Sequence, residues 1–130
     1  MDKKEIVQKE ILDFHQKIED WFKGNTNDKE SLLSDMLDNF HPHFYMKGSR
    51  GNELDYEGFS NWLPTAFKRF SQIKIEVSEI KIHLTDMHAL AEYIETQNAD
   101  GEINTRKASA VFVLNPDGRV SWYHLLEEWI

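Results

Sequence analysis

The sequence contains no cysteine. This absence excludes a disulfide framework, a thiolate zinc site, an iron–sulfur cluster and a cysteine nucleophile. The chain also lacks internal repeats, and no stretch rich in proline, serine or charges of one sign is long enough to be a linker. We therefore expect a single domain over residues 1–130. Its hydrophobic residues, which make up 40% of the sequence, are enough to supply one core.

Positive charge is scarce, because 15 Lys and Arg face 23 Asp and Glu and the net charge is -8. This balance opposes binding to phosphate backbones and to anionic lipid, so we expect neither nucleic acid nor a membrane as a partner. The first residues also lack the continuous apolar run of a secretory signal or a membrane-spanning helix. We expect a cytoplasmic protein.

The first half of the chain has helical periodicity. Apolar residues fall at steps of three and four, at Val7, Ile11, Phe14, Ile18 and Trp21. With Asp2 and Glu5 as a capping box and Gly24 as a left-handed C-cap, this pattern predicts a helix over residues 3–23. A second helix is predicted from an N-cap at Asn27 or Asp28 to the point where His41 precedes Pro42.

A third helix is predicted to begin at Asp55, whose carboxylate can accept the free amides of the first turn. Pro64 removes a backbone donor and crowds the preceding turn, so we expect this helix to end near Leu63 and a turn to restart at Pro64.

The second half has the period of two that is typical of strands. Apolar residues occupy odd positions up to Val77 and even positions from Ile80, which predicts a β-bulge near Ser78–Glu79 and a strongly curved sheet. Further strands are predicted at residues 88–97, 103–114 and 119–128, with antiparallel neighbours because the turns are short. Residues 44–47 and 52–54 are predicted to form a short hairpin.

The order of these elements resembles the nuclear transport factor 2-like superfamily, in particular its SnoaL-like and DUF4440-type bacterial branch. The residues that carry the resemblance are Trp21–Asn25, Phe40–Met46, Leu54–Phe59 and Ala110–Arg119. The resemblance implies an α+β fold in which a cone-shaped, strongly curved antiparallel sheet wraps around N-terminal helices, as in the cystatin-like fold. It also implies a pocket between the helices and the sheet, and commonly a dimer through the sheet, without fixing one activity.

Two imidazoles, at His41 and His43, have a spacing that could chelate a metal. A cupin-like site would also need a glutamate a few residues later, and residues 46–50 contain none. We therefore predict no metal site, with His41 capping the second helix and His43 in an exposed loop. Ketosteroid isomerase chemistry, with an Asp base on the first hairpin, is disfavoured because that hairpin strand and turn, Phe44–Gly51, carry no carboxylate.

The last predicted strand is apolar on both faces, which implies cover on both sides and favours a homodimer through the sheet. Alternation places His124 on the face of Trp122, and the resemblance places that face toward the pocket. A histidine there could act as general acid or base, or simply be a core residue bonded to a carbonyl.

Other candidate pocket residues lie on the neighbouring strands. Tyr93 and Glu95 share a polar face that is either concave or solvated, and alternation leaves this open. Arg106 could anchor an anion beside the small Ala108 and Ala110, or those alanines could simply make room for Trp62.

We predict a protein that binds a small hydrophobic or amphipathic molecule in an apolar pocket, without a cofactor. The predicted ligand-binding residues are Tyr45, Trp62, Tyr93, Arg106 and Phe112, and the candidate catalytic residues are His124 and Glu95. Two alternatives stay open: a cofactor-independent isomerase, cyclase or dehydratase, and an interaction module whose core is filled.

Overall fold

The computed structural model describes all 130 residues and has an α+β architecture with the helices in the first half of the chain. The helices are α1 (Lys3–Lys23), α2 (Lys29–Leu37), α3 (Tyr56–Trp62) and a 3₁₀ turn (Leu63–Ala66). The strands are β1 (Phe40–Lys47), β2 (Glu53–Asp55), β3 (Ile73–Leu84), β4 (His88–Ala99), β5 (Glu102–Leu114) and β6 (Val120–Trp129). No helix combines the length and the apolar character needed to cross a membrane.

The helix starts follow from local capping. The carboxylate of Asp2 accepts the amide of Glu5 at 2.8 Å, and Gly24 ends α1 in the left-handed conformation at φ 72°. Asp28 and Asp55 cap α2 and α3 in the same way as Asp2 caps α1. The predicted bounds of α1 are confirmed, and Pro64 lies in the 3₁₀ turn that continues from α3.

The predicted end of the second helix is wrong. The helix stops at Leu37, and the residues from Phe40 onward already belong to β1. The backbone carbonyl of Asn39 accepts the amide of Trp122 at 2.8 Å, so pairing with β6 draws this segment into the sheet. His41 and His43 therefore lie on a strand, and neither caps a helix. A long-range contact overrides the local helical pattern here.

The six-stranded sheet has the order β2-β1-β6-β5-β4-β3. The four strands of the second half form the predicted antiparallel meander, and β1 and β2 form the predicted hairpin. The sheet is nevertheless mixed, because β1 runs parallel to β6. The prediction of a wholly antiparallel sheet is wrong at this one pairing, which joins strands distant in sequence and leaves no short-turn signal.

Two β-bulges change which residues face the helices. The first lies between Ser78 and Lys81, with Glu79 at φ 54°, and it confirms the predicted position. The second lies in β6, where Phe112 pairs with Trp122 but the preceding Val111 pairs with His124. Tyr123 is the extra residue, so side chains before and after it alternate in opposite phase.

One cluster of 20 buried hydrophobic residues packs the helices against the sheet. The indole of Trp21 is fully buried and donates to the carbonyl of Leu63 at 2.8 Å, which fixes α1 to the turn after α3. At the free edge of the sheet, the carboxylate of Glu19 accepts the amide of Ile75 at 2.6 Å. Because α1 reaches the edge strand in this way, the sheet closes around the helix.

Candidate functional site

A cavity of about 540 Å³ lies between α1, α3 and the sheet face that carries Tyr93 and Trp122. Of its 23 lining residues 14 are hydrophobic, so the walls are mainly apolar. Trp62, Phe70 and Trp129 line it and are partly exposed, and the loop between β1 and β2 contributes Ser49 and Arg50. Polar side chains from α1, β4, β5 and β6 also line the cavity: His15, Tyr93, Glu95, Gln97, Arg106 and Glu127.

His15 and Glu95 form a buried pair that joins α1 to β4. The Nδ1 atom of His15 lies 2.6 Å from the carbonyl of Ile11, which can only accept, so Nδ1 donates. The Nε2 atom lies 3.0 Å from a carboxylate oxygen of Glu95. When Glu95 is ionised, both ring nitrogens face acceptors, and the ring is then an imidazolium.

The pKa values of this pair agree with the geometry. Burial lowers the pKa of His15, but the hydrogen bond and charge of Glu95 outweigh it and the pKa is raised. Burial raises the pKa of Glu95, but the hydrogen bond and charge of His15 outweigh it and the pKa is lowered. The second carboxylate oxygen of Glu95 accepts the Nε2 amide of Gln97 at 2.6 Å. Each oxygen of Glu95 therefore already accepts one hydrogen bond.

Arg106 is a nearly buried cation with few partners. Its side chain is 14% exposed, and its guanidinium lies 4.7 Å from the ring centre of Trp129. One terminal nitrogen donates to Asn104 at 2.8 Å, while the other lies 3.7 Å from Glu127, beyond hydrogen-bond distance. The Nε atom of Arg106 has no partner at all.

Glu127 completes the polar cluster from β6. Burial and the negative charge of Glu95 raise its pKa to about 7, although Arg106 and His15 act in the opposite direction. A carboxyl group with this pKa exchanges its proton near neutral pH, which is the property of a general acid or base.

The hydroxyl of Tyr93 is buried without a hydrogen-bond partner. Burial, followed by the nearby charges of Glu95 and Glu127, raises the pKa of Tyr93 well above 10, so the phenol stays protonated. Buried polar groups are rarely left unpaired in folded proteins. Tyr93 is therefore a donor that the chain itself does not use.

The structure brings together four of the seven predicted site residues. Trp62, Tyr93, Glu95 and Arg106 line the cavity. Phe112 does not line it, because it is fully buried behind Trp122, with their ring centres 4.4 Å apart.

The placement of His124 and Tyr45 at the pocket is wrong. Their rings stack on each other with centres 6.0 Å apart, and neither residue lines the cavity. The alternation that puts His124 on the face of Trp122 fails because the bulge at Tyr123 reverses the faces of β6. The pocket-facing residues after the bulge are Leu125, Glu127 and Trp129 instead.

Sequence reasoning missed His15 and Glu127. His15 lies four residues after Ile11 and three before Ile18, so helical spacing alone puts it on the buried stripe. The helical spacing therefore indicated a buried position, but the neighbouring Phe14 is more hydrophobic and was placed on the stripe instead. For Glu127 no local signal existed, because its side depends on the bulge.

No group of three or more His, Cys, Asp or Glu side chains is arranged to hold a metal ion. The two imidazoles of the first strand lie with ring centres 5.6 Å apart, and Nδ1 of His41 accepts the backbone amide of His43 at 3.0 Å. That bond orients His41 within the strand itself.

The element order and the cavity define the class of fold, and comparison with known proteins agrees. No protein-family model matches the sequence, and no curated protein matches it either. Among solved structures, an NTF2-like protein of unknown function from Pseudomonas aeruginosa is similar, with a TM-score of 0.90 and 22% identity over 96% of this chain and 98% of that one.

Two further solved structures share the fold at lower identity. An NTF2-like protein from Cytophaga hutchinsonii has a TM-score of 0.70 and 14% identity, covering 100% of both chains. A ketosteroid isomerase-like protein from Parabacteroides distasonis has a TM-score of 0.67 and 6% identity over 92% of this chain and 85% of that one. The chain thus has the NTF2-like fold, also described as cystatin-like, and the sequence resemblance is confirmed at this level.

Proposed function

We propose that this protein binds a small, mainly apolar molecule in the cavity between α1 and the sheet. The observation that carries the proposal is a cavity of about 540 Å³ bordered by Tyr93, whose buried hydroxyl has no partner. Ligand sites are typically cavities of ~300–1,000 Å³ with apolar walls and a few polar groups. A ligand oxygen that accepts from Tyr93 would remove the cost of the unpaired group.

Filling the cavity tests this proposal. Leu125→Trp adds a large side chain to the cavity wall, and Leu126→Trp adds the same side chain on the opposite face of β6. We expect the fluorescence enhancement of the neutral dye Nile red to be lost in Leu125→Trp and kept in Leu126→Trp. Native mass spectrometry of the purified protein would show any co-purifying ligand in addition.

Equal dye binding by the two variants would contradict the proposal, because the dye would then sit elsewhere. Circular dichroism of both variants checks that each is folded. If the protein is instead an interaction module with a filled core, the alternative left open by the sequence, we expect no binding that depends on the cavity.

A cofactor-independent proton-transfer enzyme is the second candidate function. The observation that favours it is Glu127, a cavity-lining carboxyl whose pKa lies at about 7. Glu95 is less suited to be the base because His15 and Gln97 hold both of its oxygens. An isomerase, cyclase or dehydratase step would use Glu127 to move a proton at a ligand carbon.

Isotope exchange distinguishes the enzyme from the binding protein. For any molecule that co-purifies, we expect the enzyme to introduce deuterium from D₂O at an acidic carbon, and Glu127→Gln to abolish this. Binding without exchange in the unaltered protein would exclude the enzymatic alternative for that molecule.

A further inference from the structure

We propose that the ligand carries a single carboxylate, which Arg106 and Tyr93 bind, and that Glu127 is protonated in the complex. This inference rests on the proposed binding function and adds the chemical class of the ligand.

The first argument is a surplus of donors. A guanidinium has five N–H donors, and the only hydrogen bond of the Arg106 guanidinium goes to Asn104. Its Nε and the hydroxyl of Tyr93 have no partner, and both residues line the cavity. A buried donor without an acceptor is costly, and a buried cation is more so.

The second argument is that neither of the nearby carboxylates accepts a hydrogen bond from Arg106. Both oxygens of Glu95 are hydrogen-bonded, to His15 and to Gln97. Glu127 approaches Arg106 only to 3.7 Å. Neither carboxylate of the cluster therefore meets the guanidinium at hydrogen-bond distance, and a planar ligand carboxylate matches the fork of an arginine.

The charge balance of the buried groups favours a ligand with one negative charge. His15 and Glu95 neutralise each other. Arg106 is always charged, so when Glu127 holds its proton one positive charge among the buried groups remains without compensation. Arg50, in the loop between β1 and β2, is exposed to solvent and is not counted among them. A monoanion restores neutrality, whereas a doubly charged phosphate would leave an excess negative charge in a mainly apolar cavity.

Glu127 links binding to pH. The charged groups around it are His15 on α1, Glu95 on β4 and Arg106 on β5, and the phenol of Tyr93 lies in the same cluster. A carboxylate ligand placed beside Arg106 would repel ionised Glu127, so binding favours the protonated form. The affinity should then fall as the pH rises above 7, by up to about tenfold per pH unit for one linked proton.

The test compares an acid with its neutral counterpart. Isothermal titration calorimetry is carried out with 4-phenylbenzoate and with biphenyl-4-methanol, which share the same rings, at pH 6.5. We expect the acid to bind at least about tenfold more tightly, because hydrogen bonds to charged groups have this magnitude. Arg106→Gln should abolish the preference, whereas Lys107→Gln, which removes a charge from the opposite face of β5, should keep it.

Tyr93→Phe provides a second variant that is expected to remain folded. Removing an unpartnered buried hydroxyl does not lower stability, but it should weaken acid binding several-fold. An unchanged acid affinity in this variant would remove Tyr93 from the site.

The pH series tests the role of Glu127. Between pH 6 and pH 8.5 the probe stays ionised, so we expect its affinity to fall in the unaltered protein and to stay level in Glu127→Gln. An identical pH profile in the two proteins would overturn the proposed protonation of Glu127.

Failure of this inference can be told apart from failure of the binding function. Equal affinities for acid and alcohol would overturn the carboxylate and leave cavity binding intact. No binding of either probe, together with Nile red binding that is lost in Leu125→Trp, would also overturn the carboxylate alone. Nile red binding unaffected by that variant would overturn both.

Discussion

His15 and Glu95 are the pair of residues on which the polar side of the cavity is built. Both side chains are almost completely buried, and Nε2 of His15 lies 3.0 Å from a carboxylate oxygen of Glu95. Removing one partner leaves the other buried and unpaired, which typically costs about 3–5 kcal/mol, whereas replacing both with apolar residues costs much less. The stability lost by substituting one residue of the pair therefore depends on whether the other is still present.

We therefore predict strong non-additivity between His15→Leu and Glu95→Leu. Each single variant should lose about 3 kcal/mol of unfolding free energy, and the double variant should lose less than the sum. Urea unfolding at pH 6 measures all three. Additive losses would show that the two side chains do not interact energetically.

The pH dependence of this pair has a defined sign. Because the pKa of His15 is raised in the folded state, its contribution is complete below about pH 6.5 and is lost as the pH rises through the folded pKa. Because the pKa of Glu95 is lowered, its contribution is complete above about pH 4.5 and is lost as the pH falls through the folded pKa. Both contributions are complete between these values.

The contribution of Glu127 to stability should depend on pH in the opposite sense to that of Glu95, whose pKa is lowered. Its pKa is raised to about 7 in the folded protein, so stability is retained below the unfolded value of 4.5 and lost as the pH rises through 7. We predict that Glu127→Gln gains about 3 kcal/mol relative to the unaltered protein between pH 4.5 and pH 8.

Thermal or urea unfolding at the two pH values checks the Glu127 prediction. Glu128→Gln, one residue along β6 and exposed, serves as the control because it should show no such change. A stability difference between Glu127→Gln and the unaltered protein that stays constant with pH would contradict it.

At the scale of elements, capping residues and periodicity were sufficient to predict α1 and most of the strands. Asp2, Asp28 and Asp55 cap their helices through local hydrogen bonds, which is why the sequence alone could indicate them. The bulge after Ser78 was predictable because the apolar residues of β3 change from odd to even positions. The bulge at Tyr123 was not, because β6 is apolar on both faces and a change of phase leaves no trace.

The bulge in β3 leads to a prediction about a single backbone position. Glu79 has φ 54°, a left-handed conformation that β-branched residues adopt with difficulty. Glu79→Val should therefore destabilise the protein by about 1–2 kcal/mol, whereas Ser78→Val, at the preceding exposed position, should be neutral or stabilising. Urea unfolding compares the two, and equal effects would show that the bulge is not maintained in solution.

At the scale of the whole molecule, the sheet face opposite the cavity carries a partly exposed row of mainly apolar side chains. Leu90 pairs with Val111, Val111 with His124, and His124 with Tyr45, so the row crosses four strands. Leu90 is 45% exposed and Tyr45 is 39% exposed. The doubly apolar sequence of β6 predicts a second chain on this face.

We propose a homodimer through this face, and Leu90→Lys should shift it to monomer. Sedimentation equilibrium gives the mass directly, and Leu12→Lys, at a similarly exposed position on α1, should leave the dimer intact. A monomer for the unaltered protein at micromolar concentration would refute the homodimer.

The parallel pairing of β1 with β6 has a consequence for the order in which the protein is built. The meander from β3 to β6 joins neighbours in sequence and can form early, because its loops are short. One edge of β1 pairs with β2, its hairpin partner. The other edge has no partner until residues 120–129, which form β6, are available. During synthesis, β1 therefore completes its pairing only after β6 has been made, and the cavity, which residues of both strands line, is complete only then.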